Sequence, residues 1–129
     1  MNNALANDII NHAITVANER GFAMSIAVSD DSGHLVHFVR MDGCFKGAVD
    51  VAMTKAKTCA LFPFPSHVFG EIIDQNTLIG MENTNGGLAT FGGGLPIFSE
   101  GKLIGAIGVS GGSAMEDLSV AQAAIAHLK

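Results

Sequence analysis

The run Leu95-Pro96-Ile97-Phe98-Ser99-Glu100-Gly101-Lys102-Leu103-Ile104-Gly105-Ala106-Ile107-Gly108-Val109-Ser110-Gly111-Gly112-Ser113-Ala114-Met115-Glu116 decides the fold. Residues 95–99 and 103–110 have strand character, and Glu100-Gly101-Lys102 between them is a turn signal, so the two read as a hairpin. Directly after Gly111-Gly112 comes a capping box. In it the Ser113 hydroxyl accepts from the amide three residues on, and the Glu116 carboxylate accepts from the Ser113 amide. A helix over 114–128 follows, burying Ala121, Ala124, Ile125 and Leu128. A hairpin that runs into a capped helix marks an α+β protein with mainly antiparallel pairing.

The same logic extends toward the N-terminus. Ala6, Ile9, Ile10, Ala13, Val16 and Ala17 recur on one face of a helix over 4–20, and Gly21 is its stop. Residues 24–41 read as a second hairpin turning at Asp30-Asp31-Ser32-Gly33. A helix over 45–61 puts Ala48, Val51, Ala52, Lys55, Ala56 and Cys59 on one side, and Pro63 and Pro65 break it. Ser66 is placed to cap a short helix to about residue 73. Residues 74–94 form a long loop, a feature often functional in compact domains. The order predicts a sheet with the terminal helices on one face and the middle helix on the other.

Composition excludes several classes. Acidic residues number 12 against seven basic ones, a net charge of −5 with no basic patch, so nucleic-acid binding is not expected. No apolar run reaches the roughly 18 residues of a spanning helix, so no membrane partner is expected. Met1-Asn2-Asn3 opens without the charged and apolar regions of a signal peptide. Cys44 and Cys59 lack metal spacing, and a reduced cytoplasmic pair is the expectation. The glycine loops are neither a Walker A loop nor a Rossmann fingerprint.

Five segments in order carry a family resemblance: the stretch from Ile26 to Val36, then Arg40-Met41-Asp42-Gly43, Ala52-Met53-Thr54-Lys55-Ala56-Lys57-Thr58, Gly92-Gly93-Gly94-Leu95-Pro96-Ile97 and the stretch from Ile104 to Gly112. Together they resemble the GlcG/HbpS family, which includes the C-terminal domain of PduO-type corrinoid adenosyltransferases. The resemblance covers nearly all of residues 1–129, taken as one domain. It implies a profilin-like α-β-α fold around a five-stranded antiparallel sheet, with the fifth strand in 86–92. It also implies homo-oligomers, from dimers to octamers, and in some members haem binding or haem degradation.

The candidate site residues follow from chemistry and from this resemblance. His12, on the first helix, is either a surface histidine or an axial ligand to haem iron, since a neutral imidazole ligates iron well. Lys55 sits on an apolar helix face. It is a catalytic base or carboxylate anchor with a lowered pKa, or a stem packed across the core toward Asp42 or Asp50. Arg40, beside Met41, either holds a carboxylate or propionate bidentately or pairs with Asp42. Gly93, Gly94, Gly111 and Gly112 either admit a ligand to the backbone, with amides at the last helix's N-terminus receiving an anion, or only make tight turns. His34 and His37 point to opposite faces, and His67 is placed at a pocket mouth.

Three functions remain open on the sequence. One is a haem- or tetrapyrrole-binding protein, with or without degradation of its ligand. Another is an enzyme acting on a small carboxylate or carbonyl substrate through Lys55. The third is a non-catalytic homo-oligomeric assembly module. The two glycine loops are expected to converge with Lys55 and Arg40 at one end of the sheet, near a subunit boundary.

Overall fold

A computed structural model describes residues 1–128. The elements are α1 (Asn3–Glu19), β1 (Ser25–Asp30), β2 (Leu35–Arg40), α2 (Ala48–Leu61), α3 (Ser66–Gln75), a 3-10 turn (Met81–Asn83), β3 (Gly94–Ser99), β4 (Lys102–Ser110) and α4 (Ala114–Ile125). The strands form one antiparallel sheet in the order β2-β1-β4-β3. The protein is α+β, as the hairpins and helix periods predict.

Local chemistry accounts for the element ends. The Phe22 amide donates to the Ala17 carbonyl and the Gly21 amide to that of Asn18, a Schellman stop with Gly21 at φ +75°. The Asp30 carboxylate accepts from the Ser32 and His34 amides and shapes the first hairpin. Glu100 and Gly101 both have positive φ, the geometry of a two-residue type I′ turn, so Lys102 belongs to β4. The capping box at Ser113 and Glu116 forms as read.

Strand alternation sends two kinds of side chain to the two faces. Ile26, Val28, Ile97, Ile107 and Val109 pack with Ile9, Ile10 and Ala13 of α1 and Val120, Ala121 and Ala124 of α4. Burying each such aliphatic side chain contributes about 1.5–3 kcal/mol. Toward α2 the sheet offers only small groups: Ala27 meets Ala52 and Ala56, and Ala106 meets Cys59 and Ala60. Gly108 faces the same helix, and a Cβ there would overlap the Ala52 carbonyl oxygen and lie 2.6 Å from the Ala56 nitrogen. The absent side chain lets α2 lie directly on the sheet.

Four expectations are corrected. The sheet has four strands, not five: Leu88 and Ala89 are buried but make no ladder. Their amides are taken elsewhere, by the Glu82 carbonyl and the Thr58 hydroxyl. Helix α2 starts at Ala48 rather than 45, and α4 ends at Ile125 rather than 128. Ser66 is not a cap, because Pro65 holds that position. The Ser66 hydroxyl instead donates to the Phe91 carbonyl and accepts from the Gly94 amide, tying the glycine loop to α3.

Candidate functional site

Lys55 enters from α2 and its ammonium ends among residues from three other segments. The side chain is fully buried. Nζ donates to the Val109 carbonyl at 2.8 Å and to Asp117 Oδ2 at 3.0 Å, and lies 5.0 Å from the Phe91 ring centroid. The lysine thus crosses from the α2 side of the sheet to α4 on the other. Gly93 makes room for it: at φ +128°, a Cβ there would sit 2.6 Å from Nζ. Burial lowers the Lys55 pKa against the attraction of Asp117, and burial raises that of Asp117 against its hydrogen bond from Gly112 and the pull of Lys55. Desolvation outweighs attraction on both sides of the pair.

The second glycine loop is equally occupied from within. The Gly112 amide donates to Asp117 Oδ1 at 2.8 Å, and the Ser113 amide to Glu116 Oε1 at 2.9 Å. Gly111, at φ +143°, packs where a Cβ would be 2.6 Å from the Ala23 carbonyl oxygen and 3.1 Å from Cys44 Sγ. The N-terminus of α4 does receive anions, as its exposed amides favour, but they are the chain's own carboxylates. Gly94 packs against Cys59 and the Lys55 carbonyl. Burial pushes the Cys59 thiol up to about 12, against weaker opposing effects of Ser66 and Lys55. Both cysteines are free and buried.

His12 lies elsewhere, on the half-exposed side of α1. Its Nδ1 is 2.9 Å from the Asp8 carbonyl oxygen. A carbonyl only accepts, so Nδ1 carries the proton and Nε2 of the neutral ring keeps its lone pair. The ring stacks on His127 with centroids 3.8 Å apart and planes 12° from parallel. His127 Nε2 in turn donates to Asp8 Oδ2 at 2.8 Å. Beside His12 runs an open groove of about 310 Å³ lined by Asp8, Asn11, Thr15, Val16 and Glu19.

Arg40 and Met41 line a different groove, about 410 Å³, with Ile14, Asn18, Phe22 and Asp42. Arg40 pairs with Ser25, and Ser25 with Ser110, so it shares the glycine loops' end of the sheet. The structure therefore brings together Lys55, Gly93, Gly94, Gly111 and Gly112. It sets Arg40 and Met41 on one flank of α1 and His12 on the other. His37 bonds Asn7, His34 lies beside Asp30, and His67 lines a cavity with Glu71, Asp74 and Glu82.

Sequence reasoning missed the partner of Lys55. Asp117 lies on the same helical stripe as Val120, Ala121 and Ala124, all buried. A carboxylate on one apolar stripe and an ammonium on another was the available signal. The Asp8–His127 contact joins residues 119 apart in sequence and left no local signal.

These features define an α+β fold with a four-stranded antiparallel sheet and, among the described residues, one buried ion pair pinning helices from its two sides. The family model described as "Haem degrading protein HbpS-like" matches residues 1–126, and the chain belongs to that family. Protein GlcG of Escherichia coli strain K12 is 34% identical over 106 residues, covering 82% of this chain and 78% of GlcG. The crystal structure of the Klebsiella pneumoniae protein ORFY superposes with a TM-score of 0.93 at 29% identity, covering 100% of this chain and 92% of that one. The PduOC:heme complex superposes with a TM-score of 0.91 at 27% identity, covering 98% and 94%.

Proposed function

We propose that this protein binds haem, or a related tetrapyrrole, with His12 as the iron donor. The observation that carries the reading is the tautomer: Nδ1–H donates to the Asp8 carbonyl, which leaves the Nε2 lone pair of the neutral ring for a metal, and His12 lines a groove. Haem-ligating histidines are held by such a bond on the far nitrogen. The family description and the haem complex of a structural neighbour support the same ligand.

The fit of one chain to haem is one-sided. The donor suits iron, yet of the groove's side chains only Val16 is apolar, and Asp8 and Glu19 would repel propionates. The second wall belongs, in this proposal, to another copy of the chain. Large apolar side chains are exposed next to the glycine loops, Phe45 at 76% and Met115 at 84%, and they supply apolar surface for assembly. The profilin-like layering, the homo-oligomer and a reducing cytoplasmic setting for the two thiols are parts of this reading. Among the described residues, no helix is long and apolar enough to cross a membrane.

Bound haem would supply a redox-active iron. The chain's own part is to orient the His12 ring through Asp8 and His127. Haem breakdown would draw its oxidant and reductant from outside the chain, and the proposal is of binding alone. Lys55 is left out as a base because its ammonium is enclosed and already donating. Hemin titration followed at the Soret band tests the proposal. A saturable red shift at a fixed ratio of hemin to chain is expected, and a spectrum equal to free hemin plus protein would overturn it.

A further inference from the structure

Asp8, His12 and His127 each offer one ligand atom, and these atoms all lie within 4.8 Å of one another. In a tetrahedral zinc site, bonds of about 2.0–2.2 Å put ligand atoms about 3.4 Å apart. His127 Nε2 lies 2.8 Å from Asp8 Oδ2 and His12 Nδ1 3.6 Å from Asp8 Oδ1, so the two rings already flank one carboxylate, each at its own oxygen. The two rings are stacked nearly parallel, so their in-plane lone pairs meet at one ion only after the rings turn out of the stack; all three side chains are at least a third exposed, which leaves them free to turn without disturbing the core. We propose that these residues bind one divalent transition-metal ion of the zinc type, clasping α1 to the turn that follows α4.

The donor set is that of a borderline cation: two imidazoles and one carboxylate suit zinc, nickel or copper better than calcium or magnesium. His127 Nε2 and His12 Nδ1 would each give up their proton to water and the two rings would stay neutral with a proton on the other nitrogen; His12 would lose its bond to the Asp8 carbonyl, so this ion and a haem iron would exclude one another at that ring. That sacrifice is small, because the bond is exposed and water can replace it. The neighbouring groove, with Asn11, Thr15 and Glu19, leaves room for water at the open position. A purely structural clasp would need only one of the imidazoles to reach Asp8, whereas here both do.

The test uses the apo protein and Zn²⁺ alone, so it is separate from the haem reading. After chelator treatment, Zn²⁺ is titrated calorimetrically into wild type, His127→Ala and Asp8→Asn. The expected result is one Zn²⁺ per chain in wild type, with binding weakened about tenfold or more in each variant. Zn²⁺ should also raise the melting temperature of wild type, and raise that of His127→Ala clearly less at the same concentration. Melting curves in chelator confirm that the variants fold. Wild type giving no saturable binding, or His127→Ala giving the same isotherm and melting shift as wild type, would overturn the proposal.

Discussion

A lysine can cross the end of a sheet only if something removes the obstruction and something answers its charge. Gly93 does the first and Asp117 the second. Both partners are shifted toward their neutral forms, so burial costs the pair more than attraction returns. Lys55→Met should therefore destabilise by about 3–5 kcal/mol, by leaving Asp117 buried without its cation. The double variant Lys55→Met/Asp117→Leu should recover much of that loss in urea unfolding. The pH dependence has a definite sign. A raised Asp117 pKa favours the fold below its ordinary value of 3.8 and loses that benefit as pH rises. A lowered Lys55 pKa favours the fold above 10.5 and loses that benefit as pH falls. Wild type should compare worst with the double variant between these limits, near neutral pH. An advantage for wild type that peaks at neutral pH would contradict this account.

The glycines of β4 and its neighbours act on how closely elements approach. Gly108 brings α2 onto the sheet, where a methyl group would meet backbone rather than a movable side chain. Gly108→Ala should cost about 1–3 kcal/mol, read as a lower urea midpoint with an unchanged slope. Elements of this kind were legible in the sequence wherever a local rule acts alone. The capping box at Ser113, the stop at Gly21 and the turn after Asp30 are set by neighbours in the chain. The supposed fifth strand was not legible, because Leu88-Ala89 has strand composition while Thr58 and Glu82, from other elements, take its amides. The site divided along the same line. That Lys55 carries an ammonium into apolar surroundings was legible from its place on an apolar stripe. That the amides of the second glycine loop are filled by Asp117 and Glu116 depends on how α4 docks.

In the whole molecule the two sides of α1 have different characters. One flank carries Arg40 and Met41 beside Phe22, and the other carries His12, held by Asp8 and stacked on His127 near the end of α4. The buried pair at the glycine end pins α2 and α4 on either side of the sheet. The haem reading thus places the working residue on the outer surface of α1, away from the glycine loops, and assigns those loops to architecture. The most direct measurement is the Soret spectrum of hemin-loaded His12→Ala beside wild type, with melting curves of both. Our account predicts that His12→Ala folds normally, because His12 is exposed, and loses the ligand-shifted band. A hemin spectrum and affinity in His12→Ala identical to those of wild type would contradict it.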